Sequence, residues 1–428
     1  MKRFLLMACC LAIELTACDK KEILPGKREP IEGITETEQL KKVVASSETK
    51  VYAISETMPT EYVDIAGNKQ HNAPNYKMPK ETKLLWKTSI SGSATNVEPV
   101  VFGGNIYAIN SRGELVCLSL TDGKKSWSIQ IAKQPDDAVF TGGVTANNSI
   151  LYIATNIGDF VAVDAKTQKI LWKKSLKYPL RGAPLYANGK LVTNSINGKT
   201  FALNASDGSV VWSKEGQDEV TVMASMGTPA LYENDVICAY SSGDVKSFDL
   251  HIGNENWSDT LFSSDLSDSG SAINHIVASP VVHNGHVLVA TSGSSMVMFD
   301  VSTGVRVWEK ELGTIVMPVI NNGWVFVLTT TGNLVCLSEK DGAIKWVSDV
   351  KDLMEEKYKK DIEFVSLKLV NGYVTVLSNA GHILEFDLST GSLQRQNKID
   401  GMTATVAPII VNGKLLAVTS RADIYAVG

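Results

Sequence analysis

The sequence predicts an all-β chain, an eight-bladed propeller of four-stranded antiparallel blades whose last blade is closed by an N-terminal strand. Three observations predict it. Trp86, Trp127, Trp172, Trp212, Trp257, Trp308 and Trp346 follow one another at gaps of 38 to 51 residues, and Arg395 takes the next place. Four residues before these positions stands a glycine in most copies (Gly123, Gly208, Gly253, Gly304, Gly342 and Gly391), with Gln168 in one. Between the anchors run short stretches rich in Val, Ile, Leu, Phe and Tyr, such as PVVHNGHVLVATSG and MVMFDVSTGVRVW, each folded about an Asn-Gly or Thr-Gly pair. A period of this length means a solenoid or a propeller. Paired β-runs around turn residues, with no convincing amphipathic helix, decide for the propeller.

The elements follow in order. MKRFLLMACCLAIELTAC has basic Lys2 and Arg3, an apolar run and then small residues, which is the layout of a secretory signal over residues 1–17. Its end, Leu15-Thr16-Ala17-Cys18, resembles the bacterial lipobox. That resemblance implies cleavage before Cys18, which would carry several acyl chains, palmitate among them, and anchor the chain to a membrane surface. Residues 18–80 are polar, punctuated by Pro and Gly, and read as a tether, part of it lying on the domain. EQLKKVVA within it suits one or two helical turns.

The propeller is expected over residues 81–428. Seven units run complete and close at Trp127, Trp172, Trp212, Trp257, Trp308, Trp346 and Arg395. An eighth begins at Pro408 and ends after ADIYAVG without a fourth strand. TKLLWKTSI, carrying Trp86, has the form of that missing strand, so it should close the ring and leave no free edge.

Composition excludes some functions. With Lys+Arg 41 against Asp+Glu 46, the net charge of −5 lacks the basic face that nucleic-acid binding needs. Beyond the signal and Cys18, the cysteines are Cys117, Cys238 and Cys336, an odd number that argues for buried thiols over a disulfide framework. His283 and His286 flank an Asn-Gly turn, but two ligands make a poor metal site. Asp122, Asp207 and Asp341 precede turn glycines, and the tryptophans are spread around a ring, so both series are read as structural. No metal, cofactor or catalytic constellation is expected.

The units VDAKTQKILW, LNASDGSVVW and FDVSTGVRVW look like the tryptophan-docking repeats of propellers of the pyrroloquinoline-quinone type. Quinoprotein alcohol dehydrogenases share these repeats but typically carry a vicinal cysteine pair beside the cofactor. The only adjacent pair here is Cys9-Cys10, inside the signal. The lipobox, the tether LPGKREPI and the blade LVCLSEKDGAIKW instead resemble the BamB family, propeller lipoproteins of the outer-membrane β-barrel assembly (Bam) machinery, alphaproteobacterial type. That resemblance implies a non-catalytic scaffold at the periplasmic face of the outer membrane. Its expected partners are BamA, other Bam subunits and unfolded barrel strands. Asp19 leaves the inner membrane open as an alternative. A quinone-dependent dehydrogenase and a peptide- or glycan-binding propeller are the competing functions.

Function is expected in the blade-to-blade connections, which vary most in length. The longest span residues 258–279 and 347–366, the second with room for a short helix. KYPLRGAP gathers Tyr178, Leu180 and Arg181 on one loop, the composition of an interface hot spot. It resembles the Leu-Arg-Gly segment by which the BamB family is understood to contact the POTRA region of BamA, which implies contact roles for Leu180 and Arg181, with Tyr178 beside them. The family's acidic pair in a neighbouring connection has no counterpart here, since neither VMASMGT nor INHIVAS contains an acid.

Overall fold

Each four-strand run of the sequence forms its own antiparallel sheet, eight among the described residues of the computed structural model, and in blade seven the short parallel strands Asn75–Tyr76 and Glu56–Thr57 add to the inner edge. The structure describes residues 36–44, 49–92, 95–133, 140–180, 182–216, 227–261 and 275–428. Blade one comprises Val100–Phe102, Asn105–Ile109, Glu114–Ser119 and Lys125–Gln130. Blade eight takes Ile409–Val411, Lys414–Val418 and Asp423–Val427 from the C-terminal region and Leu84–Ser89 from the N-terminal side. Lys87 of that closing strand pairs with Tyr425, and Trp86 with Ala426. Buried apolar clusters lie between every pair of neighbouring blades, the junction of blade eight with blade one included, so the sheets form a closed ring.

The repeated residues explain this packing. In each blade the fourth strand carries its anchor opposite the third strand, at Cys117–Trp127, Ala162–Trp172, Ala202–Trp212, Ser247–Trp257, Met298–Trp308 and Cys336–Trp346. The ladder then slips by one residue in every blade, a bulge that increases twist. Each indole leans on the next blade. Trp212 Nε1 donates to Leu250 O at 3.0 Å, Trp257 to Val301 O at 2.8 Å, Trp308 to Glu339 O at 2.8 Å and Trp346 to Leu388 O at 2.9 Å. The ring of Trp346 occupies the space a side chain would need at Gly391, whose φ of +69° also favours glycine. Trp86 differs, because Lys414 Nζ takes the carbonyl of Leu120 at 3.0 Å and the Trp86 N–H is left buried without an acceptor.

The hairpin aspartates act on their own turns. Asp207 Oδ1 accepts the Ser209 amide at 2.9 Å and Asp341 Oδ1 the Ala343 amide at 3.1 Å. Such bonds hold Asp122 down to about 2 as well, led by Lys124. Cys117, Cys238 and Cys336 are free and buried, and burial pushes the first two thiols up to about 11 and about 12.

The polar stretch before the propeller is structured over much of its length. Helix Glu36–Lys42 begins acidic and ends basic, matching its dipole, and rests on blade six through Thr37 Oγ1 donating to Asn333 Oδ1 at 2.7 Å. Residues 51–80 cross the end of the ring where the tight turns lie. They touch the innermost strand of each blade or the turn after it. Tyr62 bridges Val101 of blade one, and Ala146 of blade two donates to Val63 O. Lys69 lies 5.7 Å from the Tyr186 ring of blade three. Leu231 of blade four donates to Lys69 O, and Val282 of blade five to Gln70 O. Ile54 N donates to Asn321 Oδ1 of blade six, Asn75–Tyr76 pairs in parallel with Leu369 and Val370 of blade seven, and Asn412 N beside blade eight donates to Pro59 O. Tether residues 51–80 therefore stop one end of the central shaft. His71 at the stop is buried, its Nδ1 2.9 Å from Pro280 O, and burial pushes it down to about 4.

Candidate partner-binding face

The opposite end of the ring carries the longer connections. The stretch KYPLRGAP leaves the fourth strand of blade two, Lys169–Ser175, and enters the first of blade three, Leu185–Ala187. It is fastened to both blades. Leu176 N donates to Gly158 O at 2.8 Å, Leu180 N to Thr155 O at 3.1 Å, and Ile196 N to Pro179 O at 2.9 Å. Lys177 and Gly182 take φ of +64° and +90°, which turns the chain at each end of the loop.

The structure alters one expected role. Leu180 has no exposed surface and packs among Tyr152, Phe160, Leu191 and Phe201 between blades two and three. Its side chain is unavailable to a partner; it fixes the loop from below. An aliphatic residue in a loop reads the same in sequence whether it faces core or solvent. Tyr178 is half-buried, its ring 5.9 Å from that of Phe201, and its hydroxyl accepts from Lys199 Nζ at 2.9 Å. Lys199 is itself paired with Glu215 at 2.7 Å. Arg181 and Cys18 lie outside the described residues, as do residues 217–226 and 262–274 of the neighbouring connections. Of INHIVAS, His275 and Ile276 are buried. In the connection after blade six, residues 356–359 form the short helix Glu356–Lys359.

Within this face the shaft opens as a cavity of about 360 Å³. Tyr62 and Ile65 of the stop reach its lining, together with Glu98 and Lys368. Tyr62 Oη donates to Glu98 Oε2 at 3.1 Å and accepts the Ala66 amide at 2.8 Å. Burial raises Glu98 and lowers Lys368, and each charge opposes the shift of the other. Sequence reasoning passed over both residues, which stand 270 positions apart; the only signal was a charge inside each of the apolar runs VEPVV and SLKLV.

The histidine pair does not converge. His283 and His286 face each other across the hairpin, but His283 Nδ1 binds Glu339 Oε1 at 2.5 Å. Among the described residues no group of three or more His, Cys, Asp or Glu could hold a metal ion, and no helix is long and apolar enough to cross a membrane.

A family model described as outer membrane protein assembly factor BamB matches residues 130–348, just over half of the chain. The chain belongs to the BamB family. A BamB-family protein of Yersinia pestis is 20% identical over 352 residues, 80% of this chain and 88% of its own length. An uncharacterized protein of Rickettsia conorii is 26% identical over 347 residues, 79% of this chain and 82% of its own length, and fits the alphaproteobacterial type. Among solved structures, BamB of Moraxella catarrhalis superposes with a TM-score of 0.69 at 18% identity, covering 81% of this chain and 99% of that one. At that identity the superposition speaks for the fold, and the eight blades are those of a BamB propeller.

Proposed function

We propose that the chain is a non-catalytic scaffold of the outer-membrane β-barrel assembly machinery, held by lipid on Cys18 at the periplasmic face of the outer membrane. The observation that carries the reading is the BamB-family match across the blades that bear the unrepeated connections. The connection between blades two and three is the contact for the POTRA region of BamA. Leu180 holds the loop in place from the core, Arg181 meets the partner, and Tyr178 braces the loop beside it. Rigid support below a short tip suits a hot spot, because little ordering is left for binding to impose.

The test is affinity capture of the tagged, lipidated protein from detergent-solubilised envelopes, with BamA measured in the eluate. BamA is expected with the wild type and at least tenfold less with Arg181→Glu. Leu180→Ala should also reduce recovery and in addition lower the melting temperature, which Arg181→Glu should not. Capture of wild-type protein without BamA would overturn the reading, and undiminished capture by Arg181→Glu would remove the loop from it.

A further inference from the structure

The outer rim of blades two and three is positive in an acidic chain. Residues 142–216 hold nine Lys and Arg against four Asp and Glu, whereas the net charge of the whole is −5. The outermost strand of blade two, Lys169–Ser175, supplies Lys169, Lys173 and Lys174, and Lys177 follows it. Lys173 is paired with Asp159 at 2.8 Å. Lys169, Lys174, Lys177 and, on blade three, Lys214 have no carboxylate partner among the described residues. Cations on the rims of three other blades are paired. On blade one Lys124 meets Asp122 at 2.9 Å and Lys125 meets Glu114 at 3.4 Å. On blade five Arg306 holds Asp259 and Glu309 at 2.7 Å each, and on blade eight Lys87 meets Asp423 at 2.8 Å.

Aliphatic side chains stand among these lysines. Ile170, Leu171, Val210 and Val211 are 38% to 50% exposed on the fourth strands of their blades. The two pairs belong to one surface. The Trp172 ring occupies the space a side chain would need at Gly208, and Trp172 Nε1 donates to Ala205 O at 3.0 Å. The hairpin that leads to Val210 is thereby set beside Leu171. Lys174 and Trp172 lie opposite Phe160 and Ala162, and Val210 lies opposite Leu203. All three of those partners are buried between blades two and three. Lys174, Trp172 and Val210 therefore face the outer mouth of the same junction, where Trp172 is half-buried. At the places of the aliphatic pairs, blade one has Lys125 and Ser126, and blade four has Glu255 and Asn256.

We propose that the outer rim of blades two and three rests on an anionic phospholipid surface. Lysine ammoniums are drawn to the phosphates of such a surface, and the aliphatic side chains between them enter the boundary of headgroups and acyl chains. Long lysine stems allow both at once, because the ammonium reaches the phosphate while the methylenes stay beside the apolar residues. Unpaired lysines on an outermost strand also discourage edge-to-edge pairing, but that role calls for no exposed aliphatic residues beside them. An acidic protein surface would satisfy the charges and leave the aliphatic pairs in water. The contact is separate from the acyl chains expected on Cys18 and from the loop tip at Arg181, so it does not depend on capture of BamA.

The test uses residues 36–428, which form one compact unit with all eight blades and lack Cys18 and the apolar segment before it. Co-sedimentation is measured with vesicles of phosphatidylcholine and phosphatidylglycerol in equal parts, and with vesicles of phosphatidylcholine alone. Binding is expected to the anionic vesicles only and should weaken steeply as salt rises. Lys169→Glu with Lys174→Glu should weaken it at least tenfold, and Ile170→Ser with Leu171→Ser several-fold. Lys124→Glu with Lys125→Glu, on the paired rim of blade one, should change it far less. Equal binding to both kinds of vesicle needs no variant to fold and would overturn the assignment, as would undiminished binding after the reversal on blade two. Undiminished binding by the Ile170→Ser, Leu171→Ser variant, together with full competition by polyglutamate, would assign the rim to an acidic protein instead.

Discussion

Blades six and seven share one buried cluster, yet they treat the same register row in opposite ways. In blade six the row is Phe326, Cys336 and Trp346. Phe326 and Trp346 pack with tilted rings, centroids 5.9 Å apart, and the indole ends on the Gly391 turn of blade seven. In blade seven the row is Thr375, Glu385 and Arg395, and Arg395 turns to the carbonyl of Lys80. The difference follows from what each row docks onto. Blade seven's hairpin offers a glycine turn and the Leu388 carbonyl, whereas blade eight is made of two distant pieces of chain, with Gly428 and Lys83 exchanging backbone hydrogen bonds in place of a turn. A repeat residue is thus fixed by its neighbour's geometry more than by its own blade.

The largest effect should come from removing each anchor. Trp346→Ala deletes a side chain that is 6% exposed and its bond to Leu388 O. About 3–5 kcal/mol of stability should be lost. Arg395→Ala removes a partly exposed ion pair and one backbone contact, and on the order of 1 kcal/mol is expected. Urea unfolding of both variants measures the contrast. Similar losses would mean that the two anchors do the same work despite their chemistry. The receiving side should respond next. Gly391→Ala places a methyl against the Trp346 ring at a φ of +69°. The expected loss is about 1–3 kcal/mol. A neutral result would show that the indole can withdraw from the turn.

Much of this was legible in sequence because the signals are local and repeated. Trp spacing, Asp-Gly and Asn-Gly turns and the form of TKLLWKTSI were enough for eight four-stranded sheets and the closing strand. What stayed hidden depends on contacts without a residue code. Residues 51–80 stop the shaft largely through backbone bonds, such as Leu231 N to Lys69 O and Val282 N to Gln70 O, which any side chain allows. Glu98 and Lys368 meet only because blades one and seven face the same axis. Arg395 was visible as a substitution in the tryptophan series, but Thr375 and Glu385 join it only once the strand register is known. The loop of Tyr178, Leu180 and Arg181 was found by composition, and burial alone assigns Leu180 to the core.

A smaller effect of opposite sign is expected from filling the space of about 500 Å³ between blades seven and eight, where Thr375, Glu385 and Arg395 lie. Thr375→Phe with Arg395→Trp rebuilds in blade seven the aromatic pair of blade six. If the walls at Leu377, Ile383, Ile410 and Leu415 already have the shape of the other junctions, the pair fits and stability rises by about 0.5–2 kcal/mol. A loss would show that blade eight, lacking a glycine turn, leaves no room for the indole.

The smallest effect is the pH dependence of Glu385. Burial raises its carboxyl above the ordinary glutamate value, and the Arg395 guanidinium opposes that rise without cancelling it. The folded state therefore holds this proton more tightly than the unfolded chain does. As pH climbs from the ordinary glutamate range through the raised value, ionisation costs the folded state more, so stability falls across that window and is level above it. Glu385→Gln has no proton to lose. The stability of wild type minus that of Glu385→Gln should decline with rising pH across the window and then flatten. Adding Arg395→Ala to a wild-type Glu385 should widen the window upward, since it removes the charge that holds the carboxyl down. In blade six the row has Cys336 at this position, whose thiol burial keeps protonated, and no such slope should arise from it. A difference curve that stays flat for Glu385→Gln would mean that the guanidinium fully offsets burial, and that the row in blade seven is electrically as quiet as its neighbour.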